Sequence, residues 1–162
     1  MHARLLTFAA ALLAGPALAV PAAAPAPAPD SEVRAFVSRL YDHEPDWEAH
    51  PQTVFDAGLS AQINLDGRLT DDPGDAALSY DPMCSCQDKI DMRWRLVKLT
   101  ATPATARADI TVTWPGPSSY PQRLTLVLAR TAAGWRIHDV ATHDTPSLLA
   151  YLITENRRRS HR

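Results

Sequence analysis

From Asp30 the chain reads DSEVRAFVSRLYDHEPD, with Val33, Phe36, Val37, Leu40 and Tyr41 at the spacing of one helical face. Asp30 or Ser31 suits the cap and Pro45 the stop. A second helix is predicted from Pro51, a residue suited to a first helical position. Val54, Phe55, Leu59, Gln62 and Ile63 give it a weaker apolar face, and Asp66-Gly67 ends it. Thr70 to Asp75 reads as a polar loop. From Arg93 the period becomes two. Trp94 and Leu96 alternate with Arg93 and Arg95; Ala108, Ile110, Val112 and Trp114 alternate with Arg107, Asp109, Thr111 and Thr113. QRLTLVLAR repeats the pattern through Leu124, Leu126 and Leu128, and Ala133-Gly134 turns the chain into WRIHDVAT. These are antiparallel strands with one buried face. A last helix is predicted from Thr145-Pro146, with Leu148, Leu149, Leu152 and Ile153 as its apolar side. The order implies an α+β fold, with N-terminal helices packed on one face of a curved antiparallel sheet and a closing C-terminal helix.

Residues ahead of Asp30 fit neither period. A short basic start (His2, Arg4), an apolar run from Leu5 to Ala14 and Ala17-Leu18-Ala19 read as a cleavable signal peptide over residues 1–19. The run is too short to span a bilayer, and no cysteine follows it for lipid attachment. The expected location is periplasmic or secreted, with no membrane span after cleavage. Residues 20–29, VPAAAPAPAP, form an extended Ala/Pro spacer that cannot bury a core. One domain over residues 30–158 follows, then a basic tail over 159–162, read as a solvated end. Cleavage removes one of 16 basic side chains and none of the 18 acidic ones, so the mature charge is near −3. That gives no general attraction to nucleic acid.

The only cysteines, Cys84 and Cys86, lie in YDPMCSCQDKID. In an extended strand such a pair is about 6.6 Å apart at Cα, at the far edge of the ~4.4–6.8 Å that a disulfide spans. A bridge therefore needs a bend. It closes a small, strained ring that removes little chain entropy. An oxidising compartment favours the bridge. Two thiolates on one side would also suit Cu(I), or Zn(II) with two more ligands drawn from His43, His50, His138 and His143. None of these histidines sits at a recognised ligand spacing, and the usual redox spacing is Cys-x-x-Cys. No cofactor or metal is assigned.

The helix pair, followed by a meander ending Gly-Trp-Arg-Ile-His-Asp-Val, resembles the cone-shaped nuclear transport factor 2-like fold. The Y-D-P-x-C-x-C-Q-D segment, the strand spacing and the terminal P-S-L-L-x-Y-L helix are similar to a bacterial envelope family, domain-of-unknown-function 3828. The resemblance spans roughly residues 32 to 155 and implies a fold rather than an activity. In the superfamily's isomerases and dehydratases, acidic, tyrosine or histidine side chains project into a pocket between sheet and helices. The counterparts here would be Tyr80, Asp88, Asp109, His138 and Asp139. By alternation Asp109 faces solvent, while Trp135, Ile137 and Asp139 share one face and His138 takes the other. Gln87 and Asp88 are read as a backbone bracket or a ligand contact.

The first functional reading is a non-enzymatic exported binding or interaction module. Its partner would be an envelope protein, in one form as an immunity or assembly partner of a secretion system. A homodimer through an open sheet face bearing Trp94 and Trp114 is the other arrangement. The alternatives are a small-molecule isomerase or dehydratase using Tyr80, Asp88 or Asp139, and a metal or redox protein centred on Cys84 and Cys86.

Overall fold

The structure, a computed structural model, describes residues 28–70, 72–87, 89–116 and 120–161. The signal and spacer residues up to position 27, Asp88 and Arg162 lie outside the described residues. Helix α1 spans Pro29–Asp42 and buries Val33, Phe36, Val37, Leu40 and Tyr41. Its cap is Ala28, with Pro29 in the first turn, rather than Asp30 or Ser31. The proline fixes φ for the helix and lacks the N–H that would otherwise go unpaired there. Glu44 at φ 40° breaks the helical path just before Pro45.

Pro51 opens a single 3-10 turn, Pro51–Thr53, instead of the second helix. Val54 to Asp56 then runs beside a strand edge: Asp56 N–H donates to Ile137 O and Ile137 N–H to Val54 O, both at 2.9 Å. The apolar pair Val54 and Phe55 is therefore buried by sheet pairing, not by a helical face. Helix α2 follows, Ala57–Arg68, with the Asp56 side chain accepting from Leu59 N–H at its N-terminus. It runs past Asp66-Gly67 to Arg68.

Strands β1 (Arg93–Ala101), β2 (Thr105–Thr113), β3 (Gln122–Thr131) and β4 (Gly134–Thr142) form one antiparallel meander in sequence order. Gly134, at φ 96°, supplies the backbone angle that the β3–β4 turn requires. Two one-residue bulges reset the alternation. One leaves out Val97 in β1; the other leaves out His138 in β4, so that Leu128 pairs with Ile137 and Val127 with Asp139. The second corrects the expected facing of β4. Val140, not Asp139, follows Trp135 and Ile137 into the core.

Helix α3, Leu148–Arg159, begins after Ser147 rather than at Thr145-Pro146. It buries Leu148 and Leu152, while Ile153 remains exposed. Helices α1, α2 and α3 cover the inner sheet face, where Leu124, Leu126 and Leu128 sit with Ile110, Val112 and Ile137 in one apolar cluster. Arg159, assigned from sequence to a solvated tail, is the last residue of α3 and pairs with buried Asp66. The expected α+β arrangement, helices on one face of an antiparallel sheet with a closing C-terminal helix, is what the chain adopts. No helix among the described residues is long and apolar enough to cross a membrane.

Candidate functional site

The loop from Leu78 to Met92 carries the chain's unusual chemistry. Cys84 and Cys86 are bonded to each other, Sγ to Sγ, with Cα atoms 5.2 Å apart. Ser85 between them sits at φ 53°, which is the bend that a Cys-x-Cys bridge needs. Asp81 N–H donates to Cys86 O at 2.8 Å, closing the mouth of the loop. Cys84 is buried, so the clip belongs to the packed interior.

Asp81 organises this loop. Its Oδ1 accepts from Met83 N–H at 2.7 Å; its Oδ2 accepts from Trp47 Nε1 at 3.0 Å and pairs with Lys89 Nζ at 2.5 Å. Beneath it the Tyr41 hydroxyl donates to Met83 O at 2.7 Å. Burial pushes the Tyr41 phenol far above its ordinary value, and the nearby Asp81 charge adds to the shift. The group stays a neutral donor throughout the physiological range.

Between this loop, α2 and the 70–80 connection lies an open groove of about 840 Å³, with Trp47, Asn64, Leu78, Tyr80, Gln87 and Lys89 among its walls. Tyr80 is half-buried there. Burial raises its phenol, and a hydrogen bond with Thr145 acts the other way. Gln87 is exposed at the rim. Asp66, also on the wall, is occupied: Ala77 N–H, Leu78 N–H and Arg159 all donate to it.

The other sequence candidates lie elsewhere. Asp139 is not on the groove wall. Its Oδ1 accepts from Val140 N–H at 2.8 Å and Leu149 N–H at 3.0 Å, and its Oδ2 accepts from the Ser147 hydroxyl at 2.6 Å. It fastens the start of α3 to β4. His138, freed by its bulge, has Nδ1 2.6 Å from Asp56 Oδ2 on the exposed side. Asp109 stands on the outer sheet face and accepts from Thr125 Oγ1 at 2.7 Å. His43, His50 and His143 are separately exposed, and among the described residues no three of His, Cys, Asp and Glu come together. Tyr80 and Gln87 share the groove; Asp139 and His138 join neither of them.

Trp94 is also relocated. It packs on the inner side, stacked on Tyr41 with ring centroids 5.0 Å apart, and its Nε1 donates to Asp42 at 3.1 Å. Trp114 likewise packs against the core. The open sheet face therefore lacks the two tryptophans expected there, and with them the large apolar area expected to pair two copies. What the outer face presents is basic: Arg93, Arg95, Lys98, Arg107 and Arg123, with Asp109 among them. The plain alternation of Arg93 and Arg95 with Trp94 and Leu96 signalled this face. The signal for Asp81 was weaker, an Asp-Pro turn whose distant partner Trp47 no local pattern reveals.

No protein-family model matches the chain, and no curated protein matches it. Two solved structures share a low level of structural similarity with it. One is the selenomethionine form of the type VI effector–immunity complex Tae3–Tai3 from Ralstonia pickettii, at 14% identity, 72% coverage of this chain, 97% of that chain and a TM-score of 0.45. The other is the native form of the same complex, at 16% identity, 71% and 94% coverage and a TM-score of 0.40.

Proposed function

We propose that this chain is an exported binding or interaction module of the cell envelope, without catalysis of its own. The observation that carries the reading is the occupation of three carboxylates, of which Asp66 and Asp81 are buried and Asp139 is half-buried. Asp66 and Asp139 each accept hydrogen bonds from three donors of the protein itself, and Asp81 from two with an ion pair to Lys89, on both oxygens in every case. A general acid or base must be able to reach a substrate proton. Carboxylates held in this way act as brackets that fix loops and helix ends. Export rests on the signal read over residues 1–19, and kinship with the domain-of-unknown-function 3828 family is part of the same proposal. A secretion-system immunity or assembly role is its most specific form.

The groove beside the clip keeps one enzymatic alternative in view, because Tyr80 and Gln87 both line it. A pull-down separates the two readings. Tagged mature protein, with its N-terminus checked by mass spectrometry for a start at Val20, is used to recover partners from its own envelope extract. The expected result is a saturable protein partner whose binding is reproduced with both components purified. Repeated failure to recover one would sink the reading.

A further inference from the structure

Among the described residues, helices cover the inner face of the sheet and none covers the outer face. On the outer face, register places Arg95 of β1 opposite Thr111 of β2, and Thr111 opposite Arg123 of β3. The two arginines thus flank one threonine across three strands, roughly 10 Å apart at Cα from two strand spacings. One row along, Lys98 stands opposite Asp109 and Asp109 opposite Thr125; the next row places Arg107 opposite Thr100. Together they line or border a trough of about 930 Å³ in which Val97, Thr113 and Pro121 also take part. Arg107 reaches Asp109 at 3.8 Å and Thr125 at 3.4 Å. Arg95, Lys98 and Arg123 make no ion pair among the described residues. A chain of formal charge −2 therefore concentrates Arg93, Arg95, Lys98, Arg107 and Arg123 around the Asp109 carboxylate, on the face that the described helices leave open.

We propose that this outer face, centred on the Arg95–Thr111–Arg123 row, docks a partner protein through a convex acidic surface. The inference rests on the binding-module reading and names the chemistry of its partner. Guanidinium groups pair with carboxylates in planar, two-pronged geometry, which fixes orientation as well as sign. The threonine hydroxyls between them can donate or accept. Three features favour protein over the other polyanions. Asp109, near the middle of the face, would repel a continuous run of phosphates but can accept from an N–H of a partner protein. Val97, at the β1 bulge, is 54% exposed and offers apolar contact beside the charges. The trough is recessed, a shape that a flat bilayer does not fill. Arginine with apolar contact is also the usual composition of protein interfaces.

The test uses the purified exported protein and three fluorescent probes: an oligoglutamate peptide, an oligothymidylate of matched charge, and phosphatidylglycerol vesicles. Binding is read by anisotropy, and peptide contacts by amide chemical shifts. The expected result is preference for the peptide, shifts centred on Arg95, Thr111 and Arg123, and at least ~10-fold weaker binding in Arg95→Glu/Arg123→Glu. The control Arg34→Glu/Arg39→Glu, on exposed positions of α1, should bind as the wild type does. All these side chains are exposed, so circular dichroism should show both variants folded. Tighter binding to oligothymidylate or vesicles, or equal loss in both variants, overturns the assignment. An envelope partner recovered equally by wild type and Arg95→Glu/Arg123→Glu overturns this face while leaving the binding-module reading intact.

Discussion

The indole N–H of Trp47 donates to Asp81 Oδ2 across 3.0 Å, tying the segment after α1 to the mouth of the cysteine clip. The same carboxylate holds Met83 N–H and the Lys89 ammonium, and Asp81 is buried. One side chain thus closes its own loop, through Met83 and Lys89, and ties it to Trp47, 34 residues away in sequence. Beside it, the Tyr41 hydroxyl binds the loop to α1.

Removing that carboxylate leaves buried donors without acceptors, which costs more than the hydrogen bonds themselves contribute. Asp81→Ala should lower unfolding free energy by roughly 2–4 kcal/mol, measured by urea denaturation. Asp81→Asn, which retains one acceptor oxygen, should lose less. Equal losses for the two variants would show that the charged carboxylate with both its oxygens sets the cost, because asparagine keeps the volume and one acceptor.

The clip itself should matter less. A ring closed over a two-residue separation removes about 1.5 kcal/mol of chain entropy from the unfolded state. Reduction of Cys84–Cys86 should therefore leave the protein folded, with a smaller stability loss than Asp81→Ala. Unfolding on reduction alone would show that the clip, not Asp81, holds the loop.

Periodicity alone exposed the four strands and α1, because each turns a face of repeating apolar positions toward the core. It failed where a neighbouring element changed the meaning of a residue. Val54 and Phe55 looked like a helical face, yet they pair with the edge of β4. Asp139 looked like a pocket residue because a bulge at His138, invisible in the alternation, turned it away from Ile137. The bend at Ser85 was legible from cysteine spacing and the reach of a disulfide. Gln87 and Asp88 read as the bracket from their place after the cysteines; Gln87 proves exposed, and Asp81, five residues before Cys86, holds the loop through a tryptophan remote in sequence. The basic outer face was present in the alternation, but the whole-chain charge concealed it.

Acid should act through Glu32. Its carboxylate accepts from Arg130 and, at 3.2 Å, from Trp135 Nε1, while Arg130 lies 5.6 Å over the Trp135 ring. The Arg130 hydrogen bond holds the Glu32 carboxyl below its ordinary value of 4.5, against the opposing effect of burial. A lowered folded pKa means that the stabilising contribution is full above the unfolded value and is lost as pH falls through the folded one. Glu32→Gln should thus be less stable than wild type near neutrality, and the gap should narrow as pH falls below that ordinary value of 4.5. Thermal melts of both proteins from neutral to acid check this; a gap constant with pH would show that Glu32 acts only as a neutral acceptor.

Asp139 should behave as a fastener for α3. Its loss strands Val140 N–H and Leu149 N–H and frees Ser147, whose oxygen accepts from Ala150 N–H at 3.1 Å. The first turn of a helix has no internal partners for its N–H groups, so such acceptors matter most there. Asp139→Ala should cost about 2 kcal/mol. The distinguishing readout is hydrogen exchange: protection should fall first at Leu149, Ala150 and Tyr151, while the β2–β3 ladder keeps its protection. Uniform loss across the sheet would instead place Asp139 in the global core. An unchanged fold with altered binding to a small molecule would return it to the pocket from which the β4 bulge removes it.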